Sequence, residues 1–313
     1  MNRCRALQIA VVILLMSPLL AGVPSSLFAA EGKEPRFQSA DDAVKALVQA
    51  ARAHDTAALV RFLGPGSQRI VSSGDPVSDR QARERFVQAY DEASRLEPVT
   101  EAEAVLYLGK DDWPFPIPLV KDAKGWGFDV PRGREEILRR RIGRNELETI
   151  QVCLAYVDAQ REYAAQDWNG DGVRQYAQKV TSAPGKRDGL FWETKANETP
   201  SPLGALAAKA RGDGYQPGKS QAAPVPFHGY LYRILKAQGG HAPGGAFSYV
   251  ANGRMIGGFA LVAYPAEYRT SGVMTFIVNQ DGVVYQKDLG PSAAVVARRM
   301  TAFDPDSTWK PVE

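Results

Sequence analysis

The chain has 313 residues, 44% of them hydrophobic and 23% charged, which is enough apolar material for one or two cores. Its 38 Lys and Arg nearly balance its 35 Asp and Glu, and a formal charge of +3 is too weak a bias for nucleic acid as the main partner. Two cysteines and three histidines exclude a disulfide framework and a Cys-based zinc cluster, and leave little for a His-rich metal site.

Arg3 and Arg5 precede an apolar run over residues 6–23 that Pro18 interrupts, and small Ala29 and Ala30 lead into polar Glu31. A basic start, a short apolar stretch and a small-residue exit describe a secretory signal peptide, residues 1–30. The rival reading is an uncleaved anchor, because the run approaches the shortest span of a bilayer. Pro18 and the small exit residues favour cleavage. The chain is therefore expected to be periplasmic or secreted, with Cys153 as its remaining cysteine and no later membrane span.

Ser39 and Asp42 form a capping box at the start of a helix whose apolar stripe is Ala43, Val44, Leu47, Val48 and Ala51. A second short helix starts near Asp55 and ends at Gly64. A third, capped by Ser78 or Asp79, buries Phe86, Ala89, Tyr90 and Ala93. The period then shortens: 103–108, 117–120 and 126–130 read as strands between Pro- and Gly-bearing turns. Residues 133–142 read as a helix closed by Gly143. Asn145 with Glu148 makes another capping box, opening a longer helix to about 166 that buries Leu147, Ile150, Cys153, Leu154 and Val157. From 168 to 226 the chain is rich in Gly, Pro and Ser, with one short helix at 203–210. Strand patterns return at 229–235, 258–264, 273–279 and 283–287. Asn279-Gln-Asp-Gly282 reads as a hairpin turn, and the continuous apolar run 260–263 as a central strand. A last helix, 292–300, leads to an exposed tail, 304–313.

The resulting fold class is α+β in two lobes, residues 36–131 and 133–303. Several stretches resemble the uncharacterised secreted bacterial DUF2950 family (domain of unknown function). They are Asp171-Gly-Val-Arg-Gln-Tyr-Ala177, Lys186-Arg-Asp-Gly-Leu-Phe-Trp192, Pro226-Phe-His-Gly-Tyr230, Gln238-Gly-Gly-His-Ala-Pro-Gly-Gly-Ala246, Gly258-Phe-Ala-Leu-Val-Ala-Tyr-Pro265 and Thr275-Phe-Ile-Val-Asn-Gln-Asp-Gly-Val-Val-Tyr285. The resemblance implies export and a shared fold, and brings no catalytic residues with it. At the level of architecture alone, the first lobe is similar to NTF2-like domains. The second, a long helix on an antiparallel sheet, is similar to pilins, although no prepilin cleavage site precedes its helix.

Asp167, Asn169 and Asp171 followed by Gly172 match the opening of a calcium loop, where alternate oxygen side chains point at one hard cation. The bidentate Glu such a loop needs is replaced by Gln178, so any calcium affinity is expected to be weak. The competing reading is a tight turn in which these side chains cap their own backbone. Gly218-Lys219-Ser220 ends like a phosphate-binding loop but has Asp213 where that loop needs Gly, and is rejected. Six arginines, Arg132, Arg134, Arg139, Arg140, Arg141 and Arg144, could grip anionic lipid or polymer. The Glu135–Arg139 and Glu136–Arg140 spacings instead suit helical ion pairs. His228 or His241 with Asp188 or Asp213 is the best triad that distant residues could assemble. His54 ends a helix. Cys153 lies on an apolar helical face and reads as a packed hydrophobe. Trp168, Tyr176, Trp192, Tyr215, Tyr230 and Tyr232 suit either a sugar-stacking platform or anchors for the irregular stretch.

No catalytic or organic-cofactor residues emerge. The expectation is a non-enzymatic cell-envelope protein that acts by binding or assembly with an envelope protein or polymer. The alternatives are a hydrolase on a cell-wall or glycan substrate, or a small-ligand binder with a first-lobe cavity lined by residues such as Phe86, Tyr90 and Trp126.

Overall fold

The computed structural model describes residues 35–168, 170–195, 197–215 and 225–312. The leader, Asn169 and Gly218-Lys219-Ser220 lie outside the described residues. Among those described, no helix is long and apolar enough to cross a membrane.

The fold is α+β. Helices α1 (Ala40–Arg52), α2 (Thr56–Leu63), α3 (Gln68–Val71) and α4 (Pro76–Glu92) come first. Ser39 Oγ accepts from Asp42 N at 3.1 Å, and Asp55 Oδ1 accepts from Ala58 N at 2.9 Å, so two orphan N–H groups at helix starts are satisfied. α4 departs from expectation. Its cap is Asp75, not Ser78 or Asp79, because Pro76 occupies the first helical position, where its missing N–H costs nothing. Asp79 is buried instead and accepts from Ser73 N at 2.9 Å.

Five strands follow: β1 (Ser94–Thr100), β2 (Glu103–Leu108), β3 (Trp113–Pro114), β4 (Leu119–Asp122) and β5 (Gly125–Phe128). They form an antiparallel sheet ordered β1-β2-β4-β5, with β3 also on β2. β2 alternates half-buried and buried along its length, which is the period-2 signal of a half-covered strand. β1 carries no such signal. Only Leu96 is even half-buried, and Pro98 confines the strand to an edge.

α5 (Val130–Ala164) is one helix of 35 residues, roughly 50 Å long at 1.5 Å per residue. The break expected at Gly143 is absent, and Asn145 is no cap. Asn145 is buried mid-helix and donates from Nδ2 to Ser271 O at 2.9 Å. Glu146 Oε1 accepts from Val273 N and Met274 N, both at 2.9 Å. A loop needing polar partners thus draws the helix through a local stop signal, which is tertiary override of a weak local preference. The buried stripe is correspondingly rotated. Asn145, Thr149, Cys153, Tyr156, Val157, Gln160 and Tyr163 face inward, while Leu147 and Leu154, expected inside, are 67% and 37% exposed.

After α5 come α6 (Gly204–Gly212), β6 (Tyr230–Leu235) and two small ribbons. The ribbons pair β7 (Ala237–Gln238) with β8 (Phe247–Ser248) and β9 (Val250–Ala251) with β10 (Arg254–Met255). Strands β11 (Ala260–Pro265), β12 (Met274–Asn279), β13 (Val284–Asp288) and β14 (Lys310–Pro311), with α7 (Ala293–Arg299) before β14, complete the chain. The second sheet is antiparallel in the order β14-β13-β12-β11-β6. Every residue of β11 is buried, as a strand covered on both faces requires. The last residues do not hang free: Trp309 is 8% exposed and β14 extends the sheet along β13.

Two hydrophobic clusters result, and α5 contributes to both. Val130 and Leu138 join the first with α1–α3, β2, β4 and β5, and Cys153 to Tyr163 join the second with β6, β11 and β12. The irregular stretch is pinned to the second cluster. Gln160 exchanges two hydrogen bonds with the Ala177 backbone, both at 2.8 Å, and Tyr163 Oη donates to Arg187 O at 2.7 Å. Trp168 and Trp192 pack edge-on, with centroids 4.8 Å apart.

Candidate functional site: an apolar cavity with an arginine margin

A cavity of about 400 Å³ opens in the first cluster, between α1–α4, β2 and the first half of α5. Leu47, Leu59, Leu63, Ile70, Phe86, Leu108, Ile117 and Ile137 supply apolar walls, and Arg83, Arg85, Arg140, Arg141 and Arg144 stand around them. The volume is in the range of small-molecule sites, and an apolar interior with few polar groups is their usual chemistry. Of the residues expected to line such a cavity, Phe86 does so; Tyr90 and Trp126 pack against the cluster without lining it.

The five guanidinium groups are not equivalent. Arg141 is spent on structure, donating to Arg69 O at 2.6 Å and also to Ile70 O. Burial pushes its pKa down, and the charges of Asp79 and Glu267 oppose that fall. Arg140 pairs with Glu136 one turn back and lies 4.7 Å above the Trp113 ring. Arg83 reaches Val71 O at 3.4 Å through one terminal nitrogen, while its buried Nε has no partner. Arg85 and Arg144 have no hydrogen-bond or ion-pair partner among the described residues. Burial lowers the Arg85 pKa first and the neighbouring charge of Arg144 lowers it further, with Glu84 acting in the opposite sense. Glu84 itself is engaged by Arg80 Nε at 2.9 Å.

The rest of the arginine run is tied up locally. Arg132 pairs with Glu103 at 2.9 Å, Arg134 with Glu135 at 3.5 Å and Arg139 with Glu136 at 3.5 Å. Such exposed pairs contribute little each, and Arg139 and Arg140 share the single Glu136 carboxylate. Of the six, Arg141 and Arg144 have no carboxylate in ion-pair range among the described residues, and Arg141 spends its donors on the Arg69 and Ile70 carbonyls.

The other sequence candidates fall elsewhere. Asp167 accepts from Gly170 N at 2.9 Å and Gly172 N at 2.8 Å, and Asp171 accepts from Val173 N at 3.0 Å and pairs with Arg254 at 2.9 Å. Both carboxylates thus cap backbone in a turn after α5. Asp188 is bonded to Lys179 and to Ala183 N, and Asp213 closes α6 through its backbone N–H; among the described residues neither carboxylate is hydrogen-bonded to a histidine ring. His241 Nδ1 lies 3.1 Å from Asp304 Oδ1 on the exposed surface. His54 Nε2 is 3.7 Å from Glu84. Cys153 is fully buried and its thiol is pushed up to about 12, which keeps it protonated and inert near neutrality. The six aromatic candidates form no single platform. Trp192, Tyr215 and Tyr230 are buried and anchor separate pieces of chain.

His228 sits at a junction. It has a positive φ of 52°, its ring packs tilted against Phe227 with centroids 4.1 Å apart, and its Nε2 is 4.0 Å from Glu148. Burial lowers its pKa below the usual value, Lys209 adds to that, and Glu148, Asp213 and Asp75 oppose it. The unfolded chain therefore takes up a proton near pH ~6.5 that the folded chain resists. This stability is fully present above that pH and is lost as pH falls through the folded value. Melting at pH 7.5 and 5.5 should show a larger loss for the native chain than for His228→Gln, and parallel losses would refute the assignment.

Sequence reasoning missed Arg83 and Arg85. The only signal was their place beside Phe86 on one helix, in Arg83-Glu84-Arg85-Phe86, which reads equally well as a solvated face. No curated protein and no solved structure matches the chain. A family model described as protein of unknown function (DUF2950) matches residues 34–312, nearly the full length, and the chain belongs to that family.

Proposed function

We propose that this is an exported binding protein that takes up an amphipathic small molecule, apolar tail inward and anionic head at the arginine margin. The observation that carries the reading is the coexistence, in one cavity, of apolar walls with Arg85 and Arg144, cations that have no carboxylate partner among the described residues. Both side chains are exposed at the rim, so solvent screens part of their charge, and a ligand that places an anion there with its tail on the walls is favoured over a purely apolar one. Export rests on the leader-like pattern of residues 1–30, and sequencing the amino terminus of protein recovered outside the cytoplasm tests it.

Calorimetry with decanoate below its micellar concentration tests the binding reading. Decanoate should bind, decanol should bind more weakly, and the double variant Arg85→Ala/Arg144→Ala should lose about tenfold or more in affinity. Added salt should weaken the anion more than the alcohol. The absence of both binding heat and a melting shift at millimolar decanoate would sink the proposal, because a ligand that prefers the folded state must raise its stability.

A further inference from the structure

We propose that the head group the cavity selects is a phosphate monoester; this rests on the binding reading above and goes beyond it to the class of ligand. Two guanidinium groups bear on the margin with donors to spare: Arg85 and Arg144 line the cavity and have no hydrogen-bond or ion-pair partner among the described residues.

The nearby carboxylates do not answer them. Asp79, which also lines the cavity, accepts twice from Ser73 N and its charge acts on Arg141. Glu84 is held by Arg80, and Glu136 by Arg140. Arg85 and Arg144 therefore place two positive charges on one cavity, and like charges held close together repel.

A carboxylate carries a single charge on two oxygens and can satisfy one guanidinium fork in full. A phosphate monoester carries nearly two charges near neutral pH and presents three acceptor oxygens. It can take a fork from Arg85 and another from Arg144, and guanidinium geometry matches phosphate bidentately. The apolar walls then hold the ester's hydrocarbon. An alkyl phosphate or a lipid with a terminal phosphate has both parts, whereas free phosphate has only the head.

The test is a calorimetric series on the full chain with decyl phosphate, decanoate, decanol and inorganic phosphate. Decyl phosphate should bind about tenfold or more tightly than decanoate. That preference should grow as pH rises through the second phosphate ionisation near ~6. Arg85→Gln and Arg144→Gln should each shrink the preference. Arg139→Gln, at an exposed residue of α5 that does not line the cavity, should leave it unchanged. Decanoate binding as tightly as decyl phosphate would overturn the phosphate assignment and leave the amphiphile reading standing. Inorganic phosphate binding as tightly as decyl phosphate would overturn the amphiphile reading, and the ester assignment with it, because the tail would then contribute nothing. Failure of every compound to bind would remove both.

Discussion

Asp75→Ala is expected to cost the fold about 3–5 kcal/mol, the sum of a lost helix cap and two buried donors, Tyr215 Oη–H and Gly229 N–H, left without their acceptor. The carboxylate is 1% exposed and carries four hydrogen bonds. Oδ1 accepts from Val77 N at 3.2 Å and Ser78 N at 3.0 Å, which starts α4. Oδ2 accepts from Tyr215 Oη and Gly229 N, both at 2.9 Å, which ties the end of the α6 segment and the entry to β6 to that helix. No cation pairs with Asp75 among the described residues; the start of α4 and these donors hold its charge. Tyr215→Phe removes one donor and should cost about 1–2 kcal/mol, so the two variants rank the carboxylate above its partner. Equilibrium urea unfolding measures both. An Asp75→Ala chain within about 1 kcal/mol of the native would show that the junction relaxes and that the assignment is mistaken.

Two glycines of one helix should respond to the same substitution with opposite signs. In α5 an alanine normally gains up to about 1 kcal/mol over glycine through propensity. Gly143 is exposed, and a Cβ there would meet nothing within 4 Å beyond the helix's own backbone, so Gly143→Ala should stabilise by about 0.5–1 kcal/mol. Gly133 is buried, and its Cβ would lie 2.4 Å from Pro116 O and 2.7 Å from Ile117 Cγ1. The first of these is backbone and cannot swing aside, so α5 must move off the 116–117 segment. Gly133→Ala should destabilise by about 1–3 kcal/mol, the usual cost of overpacking. Denaturant midpoints at unchanged slope read both effects. A stabilised Gly133→Ala chain would mean that α5 is not pressed against that segment.

Local chemistry made much of the fold legible. Ser39 and Asp55 announce their helices because a short oxygen side chain beside an apolar stripe satisfies an orphan N–H wherever the helix goes. The turn between β12 and β13 is equally local: Gly282 has φ +82° and donates to Asn279 O at 3.0 Å. β1 was invisible for the complementary reason. It buries almost nothing, so its residues follow no period. The α5 face was misread because its inward stripe includes Asn145, Thr149 and Gln160, polar residues whose partners lie far away in the chain at Ser271, Tyr232 and Ala177. A periodicity of apolar residues cannot register a face that is buried through hydrogen bonds.

The candidate cavity shows the same division more sharply. Its walls are gathered from residues 47 to 145, and each wall residue taken alone is an ordinary core side chain. Its arginines, read along the chain, are surface charges at helical spacing. Only packing α4 beside the first half of α5 leaves Arg85 and Arg144 facing one apolar space, while Arg132, Arg139 and Arg140 find carboxylates. The amino-acid order alone therefore determines the α+β class, most helix starts, the central β11 strand and the family, because each depends on neighbours within a few positions or on motifs that can be read directly. Tertiary structure alone decides which charges are compensated and where a cavity remains, because charge pairing and empty volume depend on distances between residues that the chain keeps far apart.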